Sequence, residues 1–250
     1  MSDTPSTPLL CRAVLGKDGV VEFESAETKG LTLSQTIEDD KRYGTMKPAN
    51  GKYYTFAILN EDVEFTQKQA RQAVQFGQKK WRIYANTPKF KHVSKDFQGV
   101  IDFRIEFRTV ESDPDKQLNE GTIMYHYYPI SKVDHPLRGL CVVNKKFFFT
   151  SHGNPVKGTE YEKFGMRVQF PNKDYESLDF DQVYAHELGH GLGLPHDTEF
   201  GQLMSYRYDL MSEYAQMRDQ SRMIVKYGAR LMSAWLRMRW LRWLKRASNR

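Results

Sequence analysis

The alternation of apolar and polar positions changes period several times along the chain, and each change marks an element. Tyr53-Tyr-Thr-Phe-Ala-Ile-Leu59 is dense in aromatic and β-forming residues and predicts a strand. Thr66 reads as a helix N-cap. After it, apolar or small residues recur at Ala70, Ala73, Val74, Gly77, Trp81 and Tyr84, a spacing close to helical. Gly99–Phe107 alternates apolar with polar residues, the pattern of a half-buried strand, and Thr122–Tyr128 and Gly139–Thr150 predict further strands. A helix is expected from near Asp179 through His190, ended by the glycines at 189, 191 and 193, and another over roughly Ser212–Tyr227. Residues 1–50 are polar and turn-rich, with Pro5, Pro8 and Pro48. They predict a loose N-terminal extension with one hairpin around Leu10–Phe23. This order of elements describes a mixed α/β domain.

Composition narrows the class. The chain has 250 residues, 40% hydrophobic and 13% aromatic, enough for one folded domain with appendages and too aromatic for general disorder. No run of eighteen or more apolar residues suggests a membrane-spanning helix. The first residues lack a basic start followed by an apolar core, so no secretory signal is expected. Cys11 and Cys141 allow at most one bridge. The net charge of +6 is unevenly placed: ten Lys and Arg against Asp219 alone fall between Arg218 and Arg250, leaving −3 on the rest.

The candidate chemistry lies in His186-Glu-Leu-Gly-His190-Gly-Leu-Gly-Leu-Pro-His196, which holds three of the seven histidines. On a helix, His186 and His190 share one face one turn apart and can reach a single ion. Gly193 can take positive φ and turn the chain back, so that His196 arrives from another side. Three neutral nitrogens with one open position describe a catalytic zinc site rather than a closed structural one. Glu187 stands beside them without needing to bind the metal. HExxH arises by accident in roughly 1% of such chains, and the added glycine and third histidine make coincidence a poor account.

The same stretch matches the metzincin zinc signature HExxHxxGxxH, and its wording resembles the matrixins, the matrix metalloproteinase family, over roughly residues 51–228. Leu203-Met204-Ser205-Tyr206 stands at the matrixin spacing for the Met-turn, and Asp219, Met223 and Tyr227-Gly228 look like the last matrixin helix. The resemblance implies an α+β, metzincin (zincin-like) fold: a twisted mixed β-sheet with an active-site helix and a C-terminal helix. It implies that His186, His190 and His196 bind Zn2+, that Glu187 is the general base and that Met204 lies beneath the metal. The expected activity is that of a zinc metalloendopeptidase acting on protein or peptide substrates, held by strand addition. The alternative is a catalytically silent metzincin scaffold that binds a membrane or partner. The family works outside the cell, although no export signal is visible.

Several positions carry two readings. Tyr206 resembles the tyrosine that follows the methionine in serralysins and astacins, where it binds zinc or stabilises the oxyanion; the other reading is an aromatic packed under the site. Met211 is a rival Met-turn residue with worse spacing. No matrixin cysteine-switch motif is found; Cys11 could cap the zinc, but an ordinary free cysteine is the expectation. His126 falls where matrixins place a ligand of a structural zinc, yet Val142 replaces a second such histidine. Asp102 stands at a family position for structural Ca2+, although a lone acid on a strand reads more simply as solvated. Neither joins the expected metal set.

The expected domains are thus an N-terminal extension 1–50, a matrixin-like peptidase domain 51–228 and a basic tail 229–250. In the tail, Leu236, Trp240, Trp243 and Leu244 fall on one helical side and Arg239, Arg242, Lys245 and Arg246 on the other. That pattern suits an anionic membrane surface; packing on the body and nonspecific nucleic-acid binding are the alternatives. Nothing suggests specific nucleic-acid readout.

Overall fold

The computed structural model of the chain describes residues 9–16, 20–25, 43–60, 67–82, 85–147, 149–151, 154–155, 168–170, 173–175, 178–197, 201–208 and 215–228. The strand expected from the aromatic run forms as β3 (Tyr53–Ile58), buried from Tyr54 onward. Beside it β4 (Lys89–His92), β5 (Phe103–Arg108) and β7 (Leu140–Asn144) run parallel, and β6 (Thr122–Tyr127) returns antiparallel along β7. Burial alternates along β5, as its sequence alternates. It is continuous along β6 and β7 because the main core covers one face while Leu118, Tyr125, Tyr127, Leu140 and Val142 cluster separately.

The hairpin expected near Leu10–Phe23 forms as β1 (Leu10–Leu15) and β2 (Val21–Ser25). It is not loose. β1 pairs antiparallel with β6, so one seven-stranded sheet runs β2-β1-β6-β7-β5-β3-β4. Two small sheets lie apart: β8 (Phe149–Ser151) between β9 (Asn154–Pro155) and β12 (Leu178–Asp179), and β10 (Val168–Phe170) with β11 (Lys173–Tyr175).

Among the described residues, three helices complete this α+β arrangement: α1 (Gln67–Lys80), α2 (Phe180–Gly191) and α3 (Met217–Tyr227). Every residue of α2 is buried, between α1, the sheet and the segment after it. Trp81, just past α1, donates its indole N–H to the Ala185 carbonyl at 2.6 Å and ties α1 to α2. The last helix starts later than expected, at Met217; residues 209–214, with Met211, lie outside the described residues, as does the 229–250 tail.

Asp102 corrects the solvated reading. It is fully buried, accepts the amides of Ala49 and Thr55 at 2.8 and 2.9 Å, and pairs with Arg138 at 3.2 Å. Its oxygens are spent pinning the segment before β3 to the sheet rather than facing solvent.

Candidate metal centre

Helix α2 is fixed at both ends. Asp179 caps it by accepting the Gln182 amide at 3.1 Å. At the other end Gly193 donates to the His190 carbonyl at 2.8 Å, and Leu194 donates to that of Gly189 at 2.9 Å. Gly193 has φ +96°, and a β-carbon there would stand 2.3 Å from the Gly44 carbonyl oxygen. Only glycine permits this reversal, which brings His196 back toward the helix.

The three imidazoles converge. His190 Nε2 lies 3.0 Å from His186 Nε2 and 3.1 Å from His196 Nε2. Behind the rings, Nδ1 of His186 meets the Leu203 carbonyl at 2.7 Å and Nδ1 of His190 meets that of Leu194 at 2.6 Å. A carbonyl only accepts, so these Nδ1 atoms carry the protons and both Nε2 lone pairs face inward. Burial opposes relief by protonation: it pushes His186 down to about 3, and His190 and His196 well below the ordinary range, with His196 and His186 further opposing charge on His190, and His186 on His196. Lone pairs facing one another in a dry site call for a cation. Ligands about 2.0–2.1 Å from a tetrahedral zinc would stand about 3.4 Å apart, a few tenths of an ångström beyond the spacing seen. The donor set therefore fits zinc.

A fourth donor corrects the reading of Cys11 as an ordinary free cysteine. It forms no disulfide, but its Sγ lies 3.4 Å from His196 Nε2, and the four donor atoms all lie within 4.8 Å of one another. Burial and the nearby Glu187 carboxylate raise its thiol well above the usual range. Among the described residues this is the one group of three or more metal-binding side chains that converges. The pairing of β1 with β6 puts Cys11 there, and no local pattern announces a contact 185 residues away.

Glu187 lies within the same buried helix. Burial raises its carboxyl well above the usual range, the Cys11 thiol partly offsetting this, and neither oxygen has a hydrogen-bond partner among the described residues. Met204 is fully buried against α2, where a β-carbon at Gly189 would stand 2.4 Å from its sulfur. Tyr206 is 39% exposed, so it is not an aromatic packed beneath the site. His126 is buried with Nδ1 on the Tyr127 carbonyl and Nε2 unpartnered; burial pushes it down to about 4, and it joins no second metal group among the described residues.

Sequence reasoning missed the supports. Asp197, directly after His196, is fully buried and meets Arg218 Nε at 2.7 Å and Arg222 Nη1 at 3.4 Å. Its amide donates to the Met204 carbonyl at 2.7 Å. Asp219 accepts the amides of Leu203 and Met204 at 2.6 and 3.4 Å. An acid next to the last histidine, with arginines four apart on the final helix, was the available signal. The family model described as Matrixin matches residues 48–226, more than half of the chain. No curated protein matches the chain.

Proposed function

The chain belongs to the matrixin family, and from that membership we propose that it is a zinc-dependent endopeptidase that cleaves peptide bonds within proteins. One observation carries the proposal: three buried imidazole nitrogens converge within hydrogen-bond distance, with an unpartnered carboxylate on the same helix. Zinc, when bound, supplies a Lewis acid that polarises the scissile carbonyl and makes water a nucleophile near neutral pH.

The protein's own groups do the rest. His186, His190 and His196 hold the metal, and the carbonyls of Leu203 and Leu194 keep the first two rings in the tautomer that leaves Nε2 free. Glu187 takes the proton of the attacking water and returns it to the leaving amine. Met204 fills the floor under the histidines. Tyr206, on the loop after Met204, is positioned in sequence to donate its hydroxyl to the oxyanion of the tetrahedral intermediate. An extended substrate would be held by strand addition to an edge of the sheet.

The test is hydrolysis of casein or of a quenched-fluorescence peptide library. Cleavage should stop with a zinc chelator, return with added zinc, and be lost in Glu187→Ala, whose zinc content should remain. Cleavage unchanged in Glu187→Ala would overturn this mechanism. A scaffold that only binds partners would hold zinc and cleave nothing, and would leave Glu187 without a task.

A further inference from the structure

Acidic side chains stand at both ends of β5, and each end closes on an arginine. Directly before the strand, Asp102 is fully buried. Its Oδ1 accepts the Ala49 amide at 2.8 Å and Arg138 Nη2 at 3.2 Å, and its Oδ2 accepts the Thr55 amide at 2.9 Å and the Thr55 hydroxyl at 3.1 Å. A carboxylate offers about four acceptor sites, and all are used. Arg138, itself buried, also donates to the carbonyls of Lys47 at 2.6 Å and Ile130 at 2.9 Å. A carboxylate and two carbonyls converging on one positive group are oxygens of the kind Ca2+ takes. Here a guanidinium takes them.

At the far end, Arg108 faces three acids. Its Nη1 meets Asp113 Oδ1 at 2.8 Å and Asp115 Oδ2 at 3.1 Å, and its Nη2 meets Glu106 Oε2 at 2.6 Å. Asp113 is filled as Asp102 is: Oδ1 also accepts the Tyr125 hydroxyl at 2.9 Å, and Oδ2 accepts the amides of Gln117 and Leu118 at 2.8 and 2.9 Å. Burial alone would raise its carboxyl, but the bonds from Leu118, Arg108, Tyr125 and Gln117 outweigh it and hold the group below its usual range. The three acids meet the guanidinium rather than a common point; among the described residues only the histidine and Cys11 donors converge as a metal set.

We propose that Arg138 and Arg108 stand in for bound cations, so that this fold takes up neither structural Ca2+ at Asp102 nor a second zinc near His126, and zinc in the histidine centre is its whole metal requirement. Arginine keeps its charge at any physiological pH, so the neutralisation does not depend on the ions around the protein. Under the endopeptidase reading, cleavage then depends on zinc and not on calcium.

Calorimetric melting of the zinc-loaded, full-length chain tests this. Calcium chloride at about 10 mM exceeds the dissociation constants of weak calcium sites about tenfold, and an ion bound there would raise the melting temperature by about 3–6 °C. Wild type should respond no more than to sodium chloride of equal ionic strength, and should retain about one zinc per chain after gel filtration. Arg138→Ala leaves the Asp102 carboxylate and the carbonyls of Lys47 and Ile130 around a vacated space. It should melt lower than wild type and regain part of the loss with calcium. A wild type stabilised by calcium, a second zinc per chain, an unchanged melting temperature in Arg138→Ala, or equal calcium responses in the two proteins overturns the proposal and leaves the endopeptidase reading standing. A wild type that holds no zinc and ignores calcium defeats the endopeptidase reading and leaves the role of the arginines standing. The wild-type melts and zinc count decide the matter even if Arg138→Ala does not fold.

Discussion

Asp219 accepts the amide of Leu203 at 2.6 Å, and the carbonyl of that same leucine receives Nδ1–H of His186 at 2.7 Å. One route from the last helix to the histidine cluster therefore runs through a single residue of the Met204 loop. Removing the carboxylate frees the loop and with it the orientation of the first imidazole. Asp219→Ala should weaken zinc binding about 10–100-fold, the usual effect of losing a group that orients a ligand. Competition against a chelator of known affinity measures this, and an unchanged zinc affinity would mean that the loop holds itself.

Asp197 anchors the third histidine in the same way. It is buried between Arg218 and Arg222, both mostly covered. Asp197→Ala removes the buried carboxylate that both guanidinium groups share and should cost on the order of 3 kcal/mol, the usual effect of breaking a buried ion pair. Denaturant unfolding of the zinc-loaded protein reads the loss; a change below about 1 kcal/mol would indicate a solvated, weak pair.

Gly193 is strained for any other residue, with φ +96° and the Gly44 carbonyl 2.3 Å from a β-carbon. Gly193→Ala should lower stability by about 1–3 kcal/mol and weaken zinc binding, because His196 is delivered by that turn. Melting temperature and zinc titration should fall together. Loss of stability with full zinc affinity would separate the turn from the site.

Asp179, the cap of α2, has its carboxyl raised to about 7 from 3.8, by burial first and then by neighbouring Asp181. The folded state thus favours its protonated form. That contribution to stability is complete below about pH 4 and is lost as pH rises to about 7. Asparagine keeps an acceptor for the Gln182 amide but cannot ionise. The melting temperature of Asp179→Asn relative to wild type should therefore rise between about pH 4 and about pH 7 and level off above that. A pH-independent difference would mean the carboxyl titrates in its ordinary range.

For the basic tail, which lies outside the described residues, the sequence pattern supports attachment to an anionic surface. The full chain should co-sediment with phosphatidylserine vesicles and a chain ending at residue 228 should not. Equal sedimentation of the two would assign the binding elsewhere.

Much of this was legible in one dimension. The aromatic run gave β3, the alternation gave β5, and Asp179 with the glycines at 189–193 bounded α2, because each depends on residues within a turn or a strand of one another. His186, Glu187 and His190 needed only the helical period, and the turn at Gly193 needed only a glycine. These features are local, so the sequence by itself determined them, and with them the nearness of three imidazoles and a carboxylate.

The tertiary structure alone decided the rest. Cys11 read as an idle thiol because nothing near it in the chain resembles a ligand; its place beside His196 follows from which strand edge β1 chooses. Asp102 read as solvated because its partners, Ala49, Thr55 and Arg138, are up to 53 residues away. Asp197 and Asp219 needed the last helix folded back on the metal loop. Side-chain type and local period are written in the sequence, but burial and long-range register arise only when distant segments pack, and that packing turned an open three-histidine motif into a covered four-donor centre.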